Sequence, residues 1–349
     1  MKKLLVLFLL SSLFNLNSIA QNSDKPRVIL ITTDGVRWQD LFYGIDTSIA
    51  KNKYFTENKS EELLKKYYNV DYKISRKKIM PFFYSELIKN GELHGNRKLG
   101  SKLNVANPYW FSYPGYSEIL TGQVDTLINS NDYPPNPHIN FFEHLNTLPD
   151  YHGKVAAFGA WNAFDRILNE ERSGLPITDG FDKYSDISNT ENAKLLTNMS
   201  ENSFRIWGDA EIQDVFIHYQ AMDYLKNKKP MALYISYGET DEFAHEGNYF
   251  HYIDALNHFD TYVKEIWDFV QATPGYKNNT IILITTDHGR GDADKNQWTS
   301  HGQSVIDSHE TWYAIMGRSI SPLGEVNFEE QGYSKELIHR LAKLINVEF

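Results

Sequence analysis

Five short stretches of the chain, with a sixth close behind them, carry side chains that could do chemistry together. Asp34 ends the run VILITTD, Ser112 opens SYPGYSEILTG, and Asp241 and His245 lie in GETDEFAH; Asp287 and His288 end the run IILITTDH, His301 lies in SHGQS and His309 in DSHETW. Asp241 and His245 are spaced i, i+4, so on a helix starting near Asp241 their Cβ atoms stand about 5 to 6 Å apart and can chelate one cation. Asp287 and His288 follow an apolar run without interruption, and Gly289 lets the chain turn so that both side chains project into one site. Carboxylate plus imidazole is a donor set that suits zinc. A charged pair at the mouth of a buried strand needs some partner. Pro114 and Gly115 force a tight turn after Ser112, which puts that serine near a helix N-terminus, where a developing alkoxide or a phosphate is favoured.

Each residue also has a plainer use. Asp34 before a glycine is what a turn or a helix cap would choose, Ser112 is an ordinary N-cap type, and a loop histidine is often only solvated. Read from the residues alone, either His301 or His309 completes a metal site.

The elements that must position these groups are short β-branched runs stopping at acidic residues. Residues 28–33 (VILITT), 231–237 (MALYISY) and 281–286 (IILITT) are apolar on both faces, the pattern of central strands in a covered parallel sheet; 154–158 (KVAAF) is a weaker fourth. The string ILITTD occurs at 29–34 and 282–287 without matching flanks. It is no internal repeat: two buried parallel strands delivering an aspartate to one edge converge on such a string. Helical patterns cover 61–68, 81–90, 117–120, 212–226, 252–271 and 335–345. Alternation of the two predicts an α/β fold, three-layer α/β/α with a mostly parallel central sheet. Ligands then sit at the carboxyl ends of the strands, where all three aspartates fall. The lysine- and tyrosine-rich stretch near 40–104 and the Asn- and Pro-rich 123–150 read as inserted cap segments.

Composition narrows the function. With 349 residues, 41% of them hydrophobic, the chain can bury a large core. Residues 1–20 have the three-part pattern of a signal peptide, with Lys2 and Lys3, an apolar run, then Ser18 and Ala20, so 21–349 is the expected enzyme domain, periplasmic or secreted, with no transmembrane anchor after cleavage. Two of the 35 basic residues leave with it, so 33 face 45 acidic ones, a formal charge of −12. Such a surface argues against polymeric nucleic acid as a partner, while metal ions could still supply local positive charge for a small phosphate ester. Zero cysteines exclude disulfides, thiolate ligands and a cysteine nucleophile.

Taken in order, Asp34, Ser112 with its turn, Asp241 and His245, Asp287 and His288, then His301 resemble the scattered signature of the alkaline phosphatase superfamily. SYPGYSEILTG is similar to the nucleophile turn of its nucleotide pyrophosphatase/phosphodiesterase branch, with the aromatic, the proline and the final TG at the same spacing. The resemblance implies that Asp34, Asp287 and His288 hold one zinc to which the nucleophile Ser112 binds, and that Asp241, His245 and His301 hold a second. It chooses His301 over His309. Three carboxylates and one alkoxide then balance two divalent ions. The implied function is metal-dependent hydrolysis of phosphate esters, phosphodiesterase-like, through a phosphoseryl intermediate. A phosphomonoesterase on the same metal site, a sulfatase and a catalytically silent envelope protein are the alternatives. The sulfatase motif lacks its arginine here, because Tyr116 stands in that position. Arg166 and Arg290, with Asn107, Asn129 and Asn131, are candidate substrate contacts.

Overall fold

The structure, a computed structural model, describes residues 25–327 and 330–349. The expected signal peptide at 1–20 lies outside the described residues. Eleven strands are present among them: β1 (Arg27–Thr33), β2 (Gly91–His94), β3 (Lys102–Asn104), β4 (Val155–Gly159), β5 (Ile177–Asp179), β6 (Ala232–Tyr237), β7 (Thr280–Thr286), β8 (Glu310–Thr311), β9 (Tyr313–Gly317), β10 (Gly324–Glu325) and β11 (Gln331–Tyr333). Eight form one sheet in the order β10-β2-β9-β7-β1-β6-β4-β5, and β11-β3-β8 form a small second one. The centre of the large sheet, from β7 through β5, is parallel, and only β9 runs against its neighbours.

Alternation along the central strands explains why they read as continuous apolar runs. Ile29 and Ile31 of β1, Leu233 and Ile235 of β6 and Ile282 and Ile284 of β7 point into one core. Val28, Leu30, Tyr234, Ile281 and Leu283 point into another on the opposite face. Both faces are covered by helices, as a parallel sheet requires. The helix Tyr249–Ala272 lays Ile253, Leu256, Val263, Ile266 and Val270, at three- and four-residue spacing, on the first core. Helices Ser112–Thr121, Phe141–Thr147 and Lys335–Leu344 cover the second. This is the three-layer α/β/α arrangement read from the sequence. Among the described residues no helix is long and apolar enough to cross a membrane.

Two details bear on the site. The two ILITTD strings are adjacent and in register, Ile29 opposite Ile282 through Thr33 opposite Thr286, so Asp34 and Asp287 leave the sheet at the same level. The helix expected at 117–120 begins at Ser112, because Pro114 sits in its first turn, where a missing N–H costs nothing. Within the stretch read as the first cap, Gly91–His94 is a strand of the main sheet, paired with β9. The expected helix at 81–90 opens with a π-helical turn at Phe83–Leu87.

Candidate metal centre

Three elements end at one point on the sheet's carboxyl edge. β1 delivers Asp34, β7 delivers Asp287 and His288, and β6 runs through Gly238 into the helix Glu239–His245, which carries Asp241 and His245 one turn apart. The helix Ser112–Thr121 approaches from the second core and presents Ser112 as its first residue, with Phe111 extended before it. The helix comes so close that a Cβ on Gly115 would lie 2.6 Å from the carbonyl oxygen of Asp287. Gly35 is equally required. Its φ is +60°, and a Cβ there would stand 2.5 Å from Asp241 Oδ1 and 3.1 Å from the His288 ring.

His288 is the hinge of the arrangement. It is fully buried, and its Nδ1 lies 2.9 Å from the carbonyl of Gly289. Only an N–H can approach a carbonyl that way, so Nδ1 carries a proton and Nε2 is the nitrogen that a metal could take in place of a second proton. Yet Nε2 faces oxygens: Asp34 Oδ1 at 3.2 Å, Asp287 Oδ2 at 3.4 Å and Ser112 Oγ at 3.5 Å. Asp34 Oδ1 and Asp287 Oδ2 are buried without a hydrogen bond. Burial opposes charging His288, but Asp287 and then Asp34 outweigh it and push its pKa up to about 9. Burial, with Asp34 second, holds Asp287 well above the usual carboxylate range; burial, then Asp241, raises Asp34. Electron pairs converging in a dry place call for a cation.

The second group abuts the first. His245 Nε2 lies 3.0 Å from Asp241 Oδ2 and 2.9 Å from His301 Nε2, and His301 Nε2 is 3.8 Å from Asp241 Oδ1. His301 stacks on His288 at 3.9 Å between ring centres. Burial, then His288, keeps His301 well below its ordinary pKa, so it stays neutral. Two sets of ligand atoms lie within 4.8 Å of one another: Asp34, Asp287 and His288, and Asp241, His288 and His301. The two sets share His288, and His245 lies beside the second; their donors are oxygen and nitrogen, with no thiolate, a set that suits a divalent cation. His309 stands apart. Its Nδ1 is bonded to the carbonyl of Ile306, and its ring lies 5.0 Å from that of Trp110.

Several contributors were illegible in the sequence. Tyr116 donates to Asp34 Oδ2 at 2.9 Å. Glu118, buried in the helix behind Ser112, accepts from the backbone N–H groups of Ala106, Asn107 and Lys335, and so ties down the loop that leads to the serine. Asn107 is part of that tie rather than a substrate contact: its amide donates to Glu118, and its oxygen accepts from Tyr109 and Trp110. Asn131 does reach the serine's helix. Its Oδ1 accepts from the N–H of Tyr113 at 3.0 Å. Arg166 donates to the carbonyls of Tyr133 (2.7 Å) and Asn131 (3.3 Å), fixing that loop from behind. Arg290 is buried against Asp241. Burial opposes ionising Asp241, and Arg290 followed by His245 and His301 holds it well below the usual carboxylate range.

Residues 183–307 match the family model described as Metalloenzyme superfamily, a span that includes Asp241, His245, Asp287, His288 and His301 but not Asp34, Ser112 or His309. A probable 2,3-bisphosphoglycerate-independent phosphoglycerate mutase of Leptospira interrogans (serogroup Icterohaemorrhagiae, serovar Lai) is 24% identical over 136 residues, 37% of this chain. That match spans only 24% of the mutase. Among solved structures, the alkaline phosphatase PafA superposes with a TM-score of 0.58 at 9% identity, covering 93% of this chain and 96% of PafA. The C-terminal periplasmic domain of EptC from Escherichia coli, solved as a complex with Zn, gives 0.54 at 11% identity, covering 94% of this chain and 85% of that domain.

Proposed function

We propose that this chain, which has the alkaline phosphatase superfamily fold, is an exported hydrolase of small phosphate esters that works with two divalent metal ions, zinc by donor type, and favours diesters. The observation that carries the reading is the set of oxygens around His288 Nε2: a serine hydroxyl and two unpaired buried carboxylate oxygens within 3.5 Å of one ring nitrogen. Asp34, Asp287, His288 and Ser112 would hold one ion, and Asp241, His245 and His301 the other. When bound, the ions supply the positive charge that lowers the proton affinity of Ser112 and offsets charge on the leaving oxygen.

The chain's own residues do the rest. Ser112 Oγ attacks phosphorus in line; a new O–P bond forms as the bond to the leaving alcohol breaks and carries its electron pair away. Water then adds to the phosphoseryl group, the Ser112 O–P bond breaks, and the serine recovers its proton. Asn131, whose oxygen accepts from the N–H of Tyr113, holds its loop against the helix that carries Ser112. Burial of Ser112, which is 6% exposed, limits water around the attacking oxygen.

Preference for diesters rests on charge. A dianionic monoester needs cationic contacts to its terminal oxygens, and a monoanionic diester needs fewer. Both arginines offered by the sequence are engaged elsewhere, Arg166 on carbonyls and Arg290 on Asp241. The test is hydrolysis of bis-p-nitrophenyl phosphate and p-nitrophenyl phosphate by zinc-loaded protein, with a chelated control and Ser112→Ala alongside. We expect faster diester turnover, lost on chelation, and a fall of at least about 10³-fold in Ser112→Ala with zinc content kept. Faster monoester turnover would move the assignment to a phosphatase. Full activity in Ser112→Ala would remove the serine from its role.

A further inference from the structure

Arg290 is an arginine almost wholly enclosed, 1% exposed, beside a centre that reads as a cation site. Its fork is engaged on three sides. Nε donates to the carbonyl of Gly35 at 3.1 Å, Nη2 to both the carbonyl (3.2 Å) and Oδ1 of Asp241, and Nη1 to the carbonyl of Trp298 at 3.5 Å. One guanidinium thus joins the residue after Asp34 to Asp241, on opposite halves of the centre. Gly35 leaves the space for it, since a Cβ there would come within 3.0 Å of Arg290 Nε. None of these contacts points to a substrate. The positive charge is permanent, because an arginine does not deprotonate in a protein.

We infer that Arg290 is a resident counter-cation of the metal centre, a positioning residue that holds Asp241 to one free oxygen and keeps a positive charge in the site beyond that of the metal ions. This rests on the two-metal reading above. Asp34, Asp241 and Asp287 bring three negative charges and the Ser112 alkoxide a fourth, which two divalent ions alone would cancel. Arg290 adds a positive charge to that ligand set, in favour of an anionic ester. The same charge works against the neighbouring ion. Asp241 Oδ1 is taken by the guanidinium, so Oδ2, which lies 3.0 Å from His245 Nε2, is the oxygen left for a metal. Arg290 therefore weakens the ion held by Asp241, His245 and His301 while strengthening the hold on an anionic ester.

Opposite signs distinguish this from a packing role. Metal-stripped protein and the variants Arg290→Met and Arg290→Lys would be titrated with zinc against a chromogenic chelator, and inorganic phosphate would then be titrated into the loaded proteins. In Arg290→Met the weaker zinc should bind roughly tenfold more tightly and phosphate roughly tenfold more weakly. Arg290→Lys, which keeps the charge, should stay close to the parent in phosphate affinity. A folded Arg290→Met in which zinc and phosphate affinity fall together, or neither moves, would overturn the inference. If that variant does not fold, Arg290→Gln, neutral and still a donor, is read in its place by the same criteria. A parent chain that takes up fewer than two equivalents of zinc would remove the two-metal reading itself, and the inference with it.

Discussion

Two histidines, His288 at the edge of the sheet and His218 under the helix Tyr249–Ala272, are both completely buried, yet their surroundings are opposite. His218 Nδ1 lies 2.8 Å from the hydroxyl of Tyr237, its Nε2 lies 3.1 Å from Glu265, and its ring stacks on Tyr262 at 4.2 Å. A tyrosine that donates and a carboxylate that accepts satisfy a neutral imidazole completely. Burial accordingly drives His218 down to about 4 despite the pull of Glu265. His288 has one nitrogen satisfied by Gly289 and the other turned on the oxygens of Asp34, Asp287 and Ser112. Burial is the same in both places; what sets His288 apart is a ring nitrogen turned on several oxygens, which raise its pKa where burial alone lowers that of His218.

The largest effect follows at His288. Both candidate ligand sets include it. His288→Ala should lower turnover by at least about 10³-fold and reduce tightly held zinc below two equivalents, read by metal analysis after gel filtration. Zinc uptake equal to the parent's would break the comparison, since His288 would then be as structural as His218.

At His218 the expected effect is on stability and has a definite sign. With a folded pKa near 4 against an ordinary 6.5, the unfolded chain binds more protons than the folded one between those values. Stability is therefore whole above about pH 6.5 and is lost as pH falls toward 4, by up to about 3 kcal/mol. Urea unfolding of metal-stripped protein at pH 7 and pH 5 should show the loss, and His218→Gln should shrink the difference between the two. An equally steep loss in the variant would assign it to other groups.

How far these features could be read beforehand follows from their range. The strand ends were legible because a covered parallel strand is apolar on both faces, and because the two ILITTD strings lie side by side in register, bringing Asp34 and Asp287 to one level. Asp241 and His245 were legible as a helix spacing, which is local. Arg290 was visible as a residue near the site but not as a partner of Asp241, since its direction depends on a contact with Gly35, 255 residues away. The same holds for Glu118, whose four-donor tie to Ala106, Asn107 and Lys335 crosses up to 217 residues. Strand β2 gives no apolar signal because it has only four residues, Gly91–His94, one of them Glu92. Its place is decided by pairing with β9.

The smallest expected effect concerns the two loop histidines that residue types alone left equivalent and only the family resemblance told apart. His301 packs its ring on His288 and turns Nε2 toward that of His245, while its Nδ1 is buried with no partner. His309 is half-buried; its Nδ1 is used within its own turn and its ring lies beside Trp110. Trp110 itself has φ +56°, a conformation costly for a bulky residue, and Asn107 holds it there through its N–H. Removing His309 thus takes a neighbour from an aromatic ring without touching a ligand. His301→Ala should weaken the second zinc by at least about 100-fold, whereas His309→Ala should leave both zinc affinities within about twofold of the parent. A loss of zinc in His309→Ala as large as that in His301→Ala would mean that this loop rearranges to bring His309 into the centre, and the contacts of the present arrangement would no longer separate ligand from bystander.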